Sequence, residues 1–185
     1  MSIVKSVVVA ATVLALSACG TPSAAAAQLT VGGHPVSIAL YTSLVAAERQ
    51  KIERTGASVS PTSAIGKRRQ NSIQASVIRE LVRDTVIEQL AAAHGITIST
   101  ASIEVRLASA EQVVGGRLAF EQALQQAGLS RADFSAVLRY RLLEAQLART
   151  GLGASAIDAA VAKARVVATI GPCASGNYPA CLSGS

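Results

Sequence analysis

The sequence predicts a mainly α-helical domain with a little β-structure contributed by both ends of the chain. Three observations predict it. Between Ile73 and Leu90, apolar residues recur at helical spacing over about five turns. Serines and glycines punctuate the chain where helices would start and stop. Half of the residues are apolar but only five are aromatic, and alanine and valine dominate, which suits helices packed through small side chains.

Taken in order, Leu29 to Val31 and Pro35 to Ile38 are β-prone pieces around Gly32 and Gly33, a small hairpin or a strand and turn. From about Ser37 the pattern turns helical, with Leu40, Tyr41, Leu44 and Val45 on one side, and this helix should stop near Gly56. Residues 55–68, "TGASVSPTSAIGKR", read as loop from their Gly, Pro and Ser content. The longest helix follows over residues 72–95. Its stripe is Ile73, Val77, Ile78, Leu81, Val82, Ile87 and Leu90; Arg79, Glu80, Arg83, Asp84 and Glu88 fall mainly on other faces, and Gly95 stands as a C-terminal cap. Ser99 is an N-cap for a helix from Thr100 to about Val114, broken by Gly115 and Gly116. A short helix from about Leu118 to Ala127 ends at Gly128. Ser130 and Asp133 form a capping box, with Asp in place of the usual Glu, for a helix lined by Phe134, Val137, Leu138, Leu142 and Leu147. "TGLGASA" is a weak break, "IDAAVAKA" a last helix, and "RVVATI" at residues 165–170 a strand. The folded domain is thus placed at 29–171, with a cysteine-containing tail at 172–185.

Residues 1–18 read as a targeting segment and are excluded from the fold. Lys5 precedes "SVVVAATVLAL", an apolar core shorter than the roughly 20 residues a spanning helix needs. The "LSAC" that closes it resembles the bacterial lipobox, in which the cysteine thiol acquires diacylglycerol and cleavage leaves that cysteine as the mature N-terminus. Cys19 would then be acylated, palmitate being one such chain, and residues 19–28 would tether the lipid to the domain. Such a lipoprotein would sit on the outer face of the plasma membrane, or on an outer membrane in the periplasm where the envelope has one.

Removing residues 1–18 leaves one domain's length and lowers the formal charge from +6 to +5, since Lys5 alone is lost. The surplus could favour anionic headgroups or acidic partners, and "GKRRQ" at residues 66–70 is its densest run, although a solvated charge run at a helix start is the preferred reading of it. Nucleic acid is not expected, because aromatics are few and not interleaved with the cations. Cys173 and Cys181 remain as a pair in "GPCASGNYPAC". An oxidising exported setting favours a disulfide between them, two free thiols being the alternative; neither CxxC spacing nor a nearby histidine points to zinc.

The order of motifs resembles a known family. The VxGxxIS-like start, "VIRELVRDTVIEQLAAAHGITIS", a glycine break, and "FEQALQQAGLSRADFSAVLRYRLLEAQL" together resemble the N-terminal chaperone domain of SurA and related exported peptidyl-prolyl isomerases, from about Leu29 to Leu147. The resemblance implies a helical client-holding domain in which the N-terminal strand pairs with a C-terminal one, here "RVVATI". Two departures stand out. The family commonly carries parvulin-type isomerase domains after the "LLEAQL" helix, where this chain has only "ARTGLGAS" before its last helix. "ISTASIE" also lacks the acidic residues usual after that serine.

No catalytic constellation accompanies the motifs, so no catalytic residue, metal or cofactor is expected. His34 and His94 read as surface or capping residues, and the carboxylates lie three or four residues from arginines, as on solubilised helix faces. The expected function is a lipid-anchored, extracytoplasmic chaperone that holds unfolded or nascent exported polypeptides without catalysis. A peptidyl-prolyl isomerase, or an accessory subunit of one, and an adaptor lipoprotein with one fixed protein partner are the alternatives. The candidate client-binding residues are Leu40, Tyr41, Leu44, Phe120, Leu124, Phe134, Leu138 and Tyr140, on helices too apolar to be satisfied on one face; core packing is the competing role of each.

Overall fold

The computed structural model describes residues 27–183. The targeting segment, Cys19 and nearly all of the tether lie outside them.

Six helices and a three-stranded sheet make up the described chain. Strand β1 (Leu29–Val31) and strand β2 (His34–Pro35) form the hairpin around Gly32 and Gly33. The second β-piece ends earlier than its sequence suggests, because the Ser37 hydroxyl accepts from the Leu40 N–H and starts helix α1 (Ile38–Arg54). Helix α2 (Ala64–Ala93) begins inside the stretch read as loop. Ser63 caps it through the Gly66 N–H, and Gly66 lies against the Ser60 carbonyl, so the chain turns tightly into a helix that its Gly, Pro and Ser content conceals. Helices α3 (Thr100–Val113), α4 (Arg117–Ala127) and α5 (Arg131–Arg149) follow, with Ser99 and Ser130 as side-chain caps and the Ser130–Asp133 capping box formed in both directions. Helix α6 (Ala154–Lys163) leads into strand β3 (Val166–Ala168).

The sheet joins the two ends of the chain. Its order is β2-β1-β3, and β1 pairs antiparallel with β3 in the register Leu29 to Ala168, Thr30 to Val167 and Val31 to Val166. This is the pairing the family resemblance implies. Beyond β3, single 3-10 turns at Gly171–Cys173 and Ala180–Leu182 bring Cys173 and Cys181 together in a disulfide with Cα atoms 5.1 Å apart. That tail packs on α2: Cys173 and Leu182 are buried in the same core as β1, and Arg79 donates to the Leu182 carbonyl.

Three apolar clusters divide the interior. The largest gathers Leu29 and Val31 of β1, Leu40 and Tyr41 of α1, Val77, Ile78, Leu81 and Val82 of α2, and Ala168, Ile170, Cys173 and Leu182 from the C-terminal end. A second joins Ile87 and Ala91 to Leu143, Leu147 and Ile157. The third lies in a lobe built from α3, α4 and the first half of α5, where Leu107, Phe120 and Leu124 are enclosed by Ile103, Phe134 and Leu138. Helix α2 is covered by α1 and the sheet on one side and by α5 and α6 on another. Asp84, placed by its spacing mainly on an outward face, is therefore only 2% exposed.

Candidate functional site

The eight apolar residues singled out from the sequence divide between two apolar clusters. Leu40 and Tyr41 are buried in the main cluster, and Leu44 and Tyr140 pack against it half-buried. Phe120 and Leu124 are buried in the lobe, with Phe134 and Leu138 half-buried around them; the Phe120 and Phe134 rings meet edge to face at 5.3 Å. Four of the eight are core residues in this fold. Helices that look too apolar for one partner are covered from two sides.

The open apolar surface lies on other residues. Helix α3 buries Ile103, Leu107 and Ala110 in the lobe and turns Ala101, Val105 and Ser109 the other way, toward Leu142 and Gln146 of α5. Between them is a solvent-open groove of about 450 Å³ that Ile98 also lines. Val105 stands beside it 66% exposed. Ile98, Ala101, Val105 and Leu142 provide an aliphatic wall; Ser102, Ser109 and Gln146 supply polar atoms along it, and Arg106 contributes a cation with no ion pair among the described residues. Such a lining can hold an apolar polypeptide segment and satisfy part of its backbone, and its volume is that of ordinary ligand clefts. The signal in the sequence is faint: Val105 and Ala101 fall between the buried positions of α3, so the helix carries apolar residues on two faces.

Polar bonds hold the lobe rigid. The Arg131 guanidinium meets Glu111, Glu121 and Glu104 from α3 and α4 and lies 5.9 Å from the Phe120 ring centroid. The Glu111 partner, by hydrogen bond and charge, raises the arginine pKa further. Arg54 of α1 donates to the Gln126 carbonyl at the far end of α4. Along the seam of α2 with α5 and α6, Arg83 binds Glu144 of α5 at 2.6 Å and Asp158 of α6 at 2.9 Å, and Arg141 binds Glu80 at 2.8 Å. Asp84 lies beneath this seam with Oδ1 unpaired. Burial pushes its carboxyl up to about 7, with Glu80 adding to the rise and Arg141 opposing it.

His34 beside the hairpin turn and His94 at the end of α2 are both exposed. Among the described residues no three His, Cys, Asp or Glu side chains gather as metal ligands would.

A family described as the SurA-like N-terminal domain matches residues 1–148. The match ends near the close of α5, so α6, β3 and the disulfide-bonded tail lie beyond it. No curated protein and no solved structure matches the chain.

Proposed function

Because the chain belongs to the SurA-like N-terminal domain family, a chaperone-type helical domain, we propose that it holds unfolded or nascent exported polypeptides in the α3–α5 groove and performs no chemistry on them. The observation that carries this reading is the open aliphatic wall of that groove on a lobe with its own core. A client strand lying along it would cover Val105 and Leu142 and lose contact with other unfolded chains. Apolar burial contributes about 25 cal/mol per Å², and much of that is offset by ordering the client, so binding is weak and reversible, as a holdase requires. Acylation of Cys19 would keep the domain at the outer face of a membrane; among the described residues no helix is long and apolar enough to cross one.

The test is aggregation of a chemically unfolded client followed by light scattering. The intact protein is expected to suppress scattering at stoichiometric amounts, and the exposed-site double variant Ala101→Glu, Val105→Glu several-fold less. No suppression by the intact protein, or equal suppression by the variant, would sink the assignment of this groove. Proline-peptide isomerisation is expected at the uncatalysed rate, whereas measurable catalysis would favour the isomerase alternative. Mass analysis of the mature N-terminus tests the acyl group.

A further inference from the structure

The turn between α3 and α4 and its flanks carry the two most exposed large aliphatic side chains of the described chain, Val113 and Leu118, with Val114 between them. Val113 is 87% exposed, Leu118 74% and Val114 45%. Gly115 and Gly116, both with φ near +100°, reverse the chain between them. These side chains lie where α3 ends and α4 begins, at the end of a helical hairpin. Behind them the hairpin is fixed, because Phe120 is buried and Glu111 and Glu121 are both engaged by Arg131. Arg117, the first residue of α4, is exposed and has neither an ion pair nor a side-chain hydrogen bond among the described residues, and no acidic residue lies between Glu111 and Glu121 in the sequence.

We propose that this tip, Val113, Val114, Arg117 and Leu118, seats in the headgroup and upper acyl region of an anionic lipid bilayer. The inference rests on the reading that the protein works at a membrane surface. Shape and charge favour lipid over the other occupants. An exposed aliphatic knob loses its water only in a medium that closes around it, which a bilayer interface does and an extended peptide does not. The free guanidinium complements lipid phosphate, and a cation at such a surface strengthens partitioning roughly fivefold. A second copy of the chain fits poorly. A two-fold contact through the same tip would set Arg117 against Arg117, and three aliphatic side chains bury far less than the roughly 1,200 Å² of a stable interface. Because the hairpin is already rigid, insertion costs little ordering.

The full chain with Leu118→Cys, labelled with an environment-sensitive fluorophore, reads the contact directly. The parent protein treated alike supplies the background, and Thr150→Cys, at the exposed end of α5, supplies a label away from the tip. Vesicles contain either phosphatidylcholine alone or about a third phosphatidylglycerol, each with and without brominated acyl chains. The expected result is a blue shift and bromolipid quenching at 118 but not at 150, stronger in anionic vesicles and reduced about fivefold or more by Arg117→Glu. A water-like, unquenched label at 118 on vesicle-bound protein overturns the proposal. So does protection that appears only with an unfolded client, or that rises with protein concentration without lipid. If the protein carries no acyl chain, the same labels are read in lipid excess, so loss of the anchor and failure of the tip remain separate results; client holding is measured without vesicles.

Discussion

Asp84 lies one helical turn from Glu80 on α2, enclosed by α5, with Glu144, Arg83 and Arg141 around it and Oδ1 unpaired. Its folded-state pKa of about 7 is above the ordinary 3.8, so the neutral acid is the form the fold accepts. The sign follows from linkage: stability from this group is full below pH 4, falls as the unfolded chain ionises, and is lost once pH passes 7. The whole loss is of order 4 kcal/mol. Asp84→Asn, uncharged throughout, is expected to unfold at higher urea than the parent at pH 8, with the difference closing toward pH 4. Equal midpoints at pH 8 would mean the charge is relieved in another way. This carboxylate could not be placed from the sequence, because periodicity assigns one buried face and α2 is enclosed on two. The eight apolar candidates divide between two cores for the same reason. A residue's chemistry says that it will be covered, and only the packing says by what.

Element boundaries were legible wherever the signal is local. Ser99, Ser130 with Asp133, and Gly128 mark helix ends through bonds to residues three or four positions away, and each lies where its sequence places it. The start of α2 was not, because its cause is a contact with the loop before it. At Gly66 a Cβ would overlap the Ser60 carbonyl oxygen and crowd the Ser63 hydroxyl that caps the helix. Two effects compete in Gly66→Ala. Helix propensity favours alanine by up to about 1 kcal/mol, while forcing backbone apart costs roughly 1–3 kcal/mol. The overlap is with backbone and cannot be relieved by a rotamer change, so a net destabilisation of about 1–2 kcal/mol is expected, with faster amide exchange over residues 64–70. A stabilised variant would show that the loop at Ser60 yields freely. The groove was the least legible element, because which of α3's two apolar faces is covered depends on the position of α4.

At the scale of the molecule, the sheet and the tail decide whether the family's helices form a stable domain at all. The matched span ends at residue 148, yet β1, inside it, is covered by β3, outside it. The chain after Thr150 supplies Ile157 to the second core and Ala168, Ile170, Cys173 and Leu182 to the first. Burying a side chain the size of Ile157, Ile170 or Leu182 contributes about 1.5–3 kcal/mol, and removing this covering also bares Leu29, Val31 and the facing side of α2. The loss is comparable to the entire 5–15 kcal/mol that holds an ordinary domain together. A chain ended after Thr150 is therefore expected to keep helical circular dichroism but lose its cooperative urea transition, unfolding over a broad range while the full chain unfolds sharply. A sharp transition from the shortened chain would mean that the helices of the matched span close a core without β3, and that the joined ends serve another purpose. The expected breadth follows from topology: the two strands of the central pair come from opposite ends of the described chain, so neither end is stable until the other has arrived.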